Sequence, residues 1–84
     1  QKTDERTLVA SGKMSIEDLN EIVRFPLPSE DFETLGGYVF HLFGRLPSRG
    51  DEIATDHYIF RIEQMGKVRI LKIRMEEKAG PNDD

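Results

Sequence analysis

Leu35–Phe43 reads Leu-Gly-Gly-Tyr-Val-Phe-His-Leu-Phe, and no other stretch of the chain constrains its fold as strongly. Thr34 stands before it as an N-cap residue, and Gly44 follows where a left-handed C-terminal cap belongs. As a helix, Leu35, Tyr38, Val39, Phe40, Leu42 and Phe43 cover most of its circumference. A helix apolar nearly all round is buried on several sides, so the rest of the chain must supply those sides. Gly36 and Gly37 weaken such a helix by about 1 kcal/mol each relative to alanine. Close approach to the backbone of a neighbouring strand is the expected compensation.

With 84 residues there is room for one core. A chain of this size buries only roughly 60–65% of the surface its unfolded form exposes, so its apolar residues serve packing and little is left for a deep enzymatic cleft. The absence of cysteine excludes a disulfide framework and a thiolate metal site, and accords with a reducing cytosol. No apolar run approaches the roughly 20 residues of a membrane-spanning helix, and there is no signal-peptide pattern. Residues 1–6 are polar and expected to be a linker, and the sequence is expected to be a piece of a longer protein.

Net charge is −4, which argues against a nucleic-acid partner. The distribution is uneven. Residues 1–42 carry four basic and eight acidic side chains, whereas residues 43–84 carry eight of each. Within the second half Arg61, Lys67, Arg69, Lys72 and Arg74 face only Glu63, a locally basic segment suited to an acidic partner or lipid unless it is a solvated strand face.

Along the chain, residues 7–10 read as a short strand closed by the turn signal Ser11-Gly12-Lys13. Ser15 caps a helix with Asp18 three residues on, and Ile16, Leu19, Ile22 and Val23 form its apolar stripe. Pro26 and Pro28 end that helix. After the Leu35–Phe43 helix and a loop at 46–51 come three strands: Glu52–Ala54, Tyr58–Met65 and residues 67–75. Thr55-Asp56-His57 and Gly66 supply the turns between them. The register of the last strand stays open, because Val68 and Ile70 fall on one face and Leu71, Ile73 and Met75 on the other. Residues 76–84 are expected to be a disordered polar tail. The implied fold is α+β, a strand-helix-helix-three-strand meander with two helices on one face of a mostly antiparallel four-stranded sheet.

No nucleophile sits in a catalytic motif. His41 lies in the apolar helix and reads as a packed or rim residue, and His57 beside Asp56 reads as turn chemistry. Glu30, Asp31 and Glu33 are weak candidates for a hard divalent cation, without the spacing of an ordered calcium loop. Gly36-Gly37 at a helix N-terminus could cradle a phosphate, although Asp31 and Glu33 nearby would repel it.

The run Asp31-Phe32-Glu33-Thr34-Leu35-Gly36-Gly37-Tyr38-Val39 continues through Leu42-Phe43-Gly44-Arg45-Leu46-Pro47 to Gly50-Asp51. With the opening turn and helix at 12–20 and the strand Tyr58-Ile59-Phe60-Arg61-Ile62, it resembles the CorC/HlyC transporter-associated domain over about residues 7–75. In combination the helix bearing Thr34, Leu35, Gly36 and Gly37, followed by Gly44, Arg45, Pro47, Gly50 and Asp51, is specific; each piece alone is not. Ser11 departs from the pattern, where an acid is common, so no role of that acid carries over.

The resemblance implies a non-catalytic bacterial module following a membrane region and a pair of CBS domains, in magnesium and cobalt efflux proteins. It would act on the cytoplasmic face of the inner membrane through contacts with those domains, with no nucleic acid involved. Haemolysin names are common in the family, yet no amphipathic or hydrophobic insertion element is visible here. The implied fold is similar to part of the FAD-binding domain of flavin oxidases. FAD or an adenine nucleotide near Gly36-Gly37 is therefore the alternative, a small-ligand sensor, although no pyrophosphate loop is present. The strand at 67–75 carries apolar residues on both faces. With Leu71, Ile73 and Met75 outward it would be an exposed apolar patch or an unprotected sheet edge, so Arg69, Leu71, Lys72, Ile73 and Met75 are expected to meet a partner domain or a second copy in a weak homodimer. Otherwise Arg69, Lys72 and Arg74 guard the edge.

Overall fold

In the computed structural model, which describes residues 6–78, the central strands of one sheet bury apolar side chains against two capped helices. The elements are β1 (Thr7–Ser11), α1 (Ile16–Asn20), α2 (Leu35–Phe43), β2 (Glu52–Ala54), β3 (Tyr58–Met65) and β4 (Ile70–Glu77). The strands form one antiparallel sheet in the order β1-β4-β3-β2. Both helix caps form as the sequence implies: the Ser15 hydroxyl accepts from Asp18 N–H and the Thr34 hydroxyl from Gly37 N–H. Gly44 closes α2 in the left-handed region at φ 71°.

Tyr58, Phe60 and Ile62 of β3 and Ile73 and Met75 of β4 join Ile16, Leu19, Leu35, Tyr38 and Val39 of the helices in a single core. Their strand neighbours Arg61, Lys72, Arg74 and Glu76 stay exposed on the opposite face. The helices thus cover one face of the sheet, as the alternating pattern requires.

Helix α1 is shorter than its apolar stripe implies. Ile16 and Leu19 are fully buried, but Ile22 is 63% exposed. The chain leaves the helix because the Asn20 side chain holds both backbone groups of Leu27: its amide donates to the Leu27 carbonyl at 2.8 Å and its oxygen accepts the Leu27 N–H at 2.8 Å. Two residues upstream, the Tyr58 hydroxyl donates to the Phe25 carbonyl at 2.6 Å and accepts from Phe25 N–H at 3.0 Å. These four bonds fasten the connector between the helices to α1 and to the sheet. Burial of Leu27 completes the attachment.

The last strand also differs from its expected course. Residues 67–69 belong to the β3–β4 hairpin, where Gly66 N–H donates to the Arg69 carbonyl at 2.8 Å. The ladder slips between Ile62 and Met65, since Ile62 faces Ile73, Gln64 faces Lys72 and Met65 faces Ile70. This irregularity turns Ile70 and Ile73 to the same buried side, so a strict two-residue alternation cannot describe the strand. At its other end β4 continues through Glu76 and Glu77, which pair with Thr7 and Tyr58. Those two residues are therefore strand and not tail. The expectations for residues 1–5 and 79–84 lie outside the described residues. Most importantly, β4 lies inside the sheet between β1 and β3, which corrects the expectation that it could be an edge.

Candidate functional site

Three segments far apart in sequence converge beside the first turn of α2. Thr34, Gly36, Gly37 and Phe40 of α2 and its cap, Gly12 and Lys13 of the turn after β1, and Val68, Arg69 and Ile70 of the hairpin line a cavity of about 330 Å³. Its floor is backbone against backbone. Gly12 N–H donates to the Leu71 carbonyl at 2.9 Å, and Gly36 N–H donates to the Gly12 carbonyl at 2.9 Å. A Cβ on Gly12 would stand 2.2 Å from the Ile70 carbonyl oxygen, and one on Gly36 would stand 2.9 Å from that of Gly12. The close approach expected of the helix glycines is thus made by Gly36, with the turn of Gly12 interposed before the strand. Gly37 is exposed, and a Cβ there would stand 3.3 Å from the Thr34 hydroxyl.

The N-terminus of α2 keeps no free backbone donor in its first turn. Leu35 N–H goes to the Met14 carbonyl, Gly36 to Gly12, Gly37 to the Thr34 hydroxyl at 3.2 Å, and Tyr38 to the Thr34 carbonyl at 3.1 Å. A phosphate cradled on Gly36-Gly37 would have to displace these bonds. What the cleft offers instead is side chains: Phe40, 47% exposed, Val68, 81% exposed, and the exposed cations Lys13 and Arg69.

The second half of the motif serves a different end of α2. Gly44 caps the helix, buried Pro47 anchors the loop, and Gly50 turns it at φ 92°. Asp51 ties it together, accepting from Ser48 N–H at 2.9 Å and from Arg45 at 3.4 Å. The Ser48 bond, with the Arg45 guanidinium beside it, holds the Asp51 carboxyl below its usual range. Gly50 and Asp51 then enter the sheet through backbone bonds with Ile62.

The remaining candidates are dispersed. Glu30, Asp31 and Glu33 are exposed around a shallow depression with Ser15, Glu17, Ser29 and Phe32. Among the described residues no three metal-ligating side chains group closely enough to hold an ion. His41 sits against the Phe32 ring at 5.0 Å, and His57 stacks on Phe25 at 4.0 Å. Of the five residues expected at a partner surface, Ile73 and Met75 belong to the core, Leu71 is half-buried, Lys72 lies on the open sheet face, and Arg69 alone lines the cleft. In the sequence Gly12 and Lys13 read as a turn, Phe40 as part of a helix and Val68 as part of a strand, and none of them as part of a site. The adjacency of Gly12 and Gly36 depends on tertiary pairing, and Phe40 reads as buried wherever a helix is apolar all round.

Residues 1–79 match the CorC_HlyC family model, described as the transporter associated domain. The magnesium and cobalt efflux protein CorC of Escherichia coli K12 is 37% identical over 62 residues, covering 74% of this chain and 21% of that protein. Hemolysin C of Brachyspira hyodysenteriae is 30% identical over 83 residues, covering 98% of this chain and 31% of that protein. The chain therefore spans about a fifth to a third of the length of these relatives. Among solved structures, the transporter associated domain CorC_HlyC from Nitrosomonas europaea superposes with a TM-score of 0.82 at 30% identity, over 93% of this chain and 94% of that one. With its strand-helix-helix-meander order, its four-stranded antiparallel sheet and this match, the chain belongs to the CorC_HlyC family of transporter-associated domains.

Proposed function

We propose that the domain is a non-catalytic accessory module of a bacterial magnesium- and cobalt-efflux-type transport protein. It acts there by contact with neighbouring CBS and membrane domains of the same parent, or with a second subunit. The observation that carries this reading is the match to CorC, in which the shared region amounts to 21% of a protein named for efflux. A module of that share contributes a surface to a larger machine. Consistent with that role, His41, Glu30, Asp31 and Glu33 lie exposed, while the interior is occupied by packed apolar side chains. No helix among the described residues is long and apolar enough to cross a membrane. On this reading the domain works at the cytoplasmic face of the inner membrane, held there by its parent.

The test compares magnesium and cobalt efflux from cells carrying the full-length parent with efflux from cells whose parent lacks residues 7–77. The expected result is altered transport or altered ion dependence at equal expression. Identical transport, ion dependence and subunit assembly would overturn the proposal.

A further inference from the structure

We infer that the cleft between the first turn of α2 and the β3–β4 hairpin docks a protein segment in which carboxylates flank one large apolar side chain. This names the contact surface of the accessory module proposed above, and rests on that reading. Val68 projects from the hairpin at 81% exposure and Phe40 from α2 at 47%, on the rim of the same cavity. Two large apolar side chains in water beside a concavity gain nothing for the domain alone, and become useful when a third covers them. The cavity, about 330 Å³, sits at the small end of ligand pockets, which run on the order of 300–1,000 Å³. It has room for a side chain or two. A concave seat of that size favours an inserted side chain over a flat lipid surface.

Charge supplies the second half of the specificity. Arg24, Arg45, Arg61 and Arg74 are each paired with a carboxylate of the domain. Lys13, Lys67 and Arg69, like Arg49, Lys72 and Lys78, have no such partner among the described residues; what sets the cleft apart is that Lys13 and Arg69 line it and no described aspartate or glutamate does. In a protein of net charge −4, the exposed apolar cleft is thus lined by the cations Lys13 and Arg69, with Lys67 next to Val68 in the hairpin sequence. Carboxylates on the incoming segment complement them and steer its approach. Because the backbone donors of α2 are already used internally, recognition falls to these side chains, which favours an acidic, apolar peptide over a nucleotide phosphate. The floor of Gly12, Gly36 and Ile70 backbone is already in place, so docking requires little ordering.

A photo-crosslinking amino acid placed at Val68 of the full-length parent, in its native membranes, tests the inference, with the same probe at Ser48 as control. The expected product is a crosslink to a protein segment bearing acids on both sides of a large apolar residue. Lys67→Glu with Arg69→Glu should reduce its yield several-fold while leaving the melting temperature unchanged, since both side chains are exposed and neither has a carboxylate partner among the described residues. Crosslinks only to phospholipid, a yield no greater than from Ser48, insensitivity to the charge reversal, or competition by added ATP would overturn it. The deletion experiment separates the two proposals. Altered efflux on deletion without a Val68 crosslink removes only the docking site, whereas a crosslink with unaltered efflux and assembly removes only the accessory function.

Discussion

Gly36 donates its N–H to the carbonyl of Gly12 across 2.9 Å, and a Cβ on Gly36 would lie 2.9 Å from that same oxygen. The bond and the missing side chain are one device, because the helix approaches closely enough to donate only if nothing projects from it. Gly36→Ala should therefore destabilise by about 1–3 kcal/mol through overpacking. Gly12→Ala should do so at least as strongly, its Cβ meeting the Ile70 carbonyl oxygen at 2.2 Å. Gly37→Ala should lie between neutral and about 1 kcal/mol stabilising, as helix propensity improves and only the Thr34 hydroxyl must yield. Chemical-denaturation midpoints of the three variants give the order directly; equal losses at Gly36 and Gly37 would contradict it.

Tyr58→Phe removes the hydroxyl that both donates to and accepts from the Phe25 backbone. The expected loss is about 1–3 kcal/mol, the cost of leaving part-buried polar groups without partners. Loss of structure should begin in the connector, so amide exchange at Phe25 and Leu27 should accelerate before exchange in β3. Uniform acceleration would count against the bracket.

Alkaline pH acts on the same bond. Burial raises the Tyr58 hydroxyl above the ordinary tyrosine value of about 10, against the opposing bond with Phe25, and the Glu77 charge adds to the rise. Burial likewise raises Tyr38. A raised tyrosine favours folding while it is protonated. Its contribution is complete below the unfolded value and disappears as pH climbs through the folded one, so stability should fall above pH about 10. Tyrosinate absorbance followed with pH should show both groups ionising late, and Tyr58→Phe should shrink the alkaline decline.

Asp51 predicts the opposite sign. Its carboxyl is lowered chiefly by the Ser48 N–H, so the stability it lends is present above the unfolded aspartate value and is lost as pH falls through the folded one. A carboxyl-detected NMR titration should place its midpoint below the ordinary aspartate value, and Asp51→Asn should abolish the shift of the Ser48 amide with acid. A Ser48 amide titrating unchanged in the variant would show that the loop is held by something else.

The architecture was legible where local chemistry decides it. The caps at Ser15 and Thr34, the left-handed Gly44 and the alternation of Tyr58, Phe60 and Ile62 each rest on residues within one turn or one strand of one another. What was not legible rests on pairing at a distance. Asn20 reaches seven residues ahead to hold Leu27, and a stripe of apolar residues cannot report that Ile22 is left outside. The slipped ladder between β3 and β4 mixed two faces in one strand, which made Leu71, Ile73 and Met75 resemble an outward patch. The cleft shows the same division. Gly36 could be singled out from its own helix, but Gly12, Lys13 and Val68 become its neighbours only through the turn after β1 and the β3–β4 hairpin.

The insertion of β4 between β1 and β3 governs when this chain can fold at all. During synthesis β1 leaves the ribosome first, yet the strand it pairs with, Ile70–Glu77, is nearly the last to appear. Until then Ile16, Leu19 and Leu35 have no completed sheet to cover, and β3 lacks the neighbour that separates it from β1. Joining the two ends means closing a loop of nearly the whole domain, an entropic cost that slows folding. An interruption of translation before Ile70 therefore leaves β1 without its partner strand and the helices without the completed sheet that covers their apolar residues.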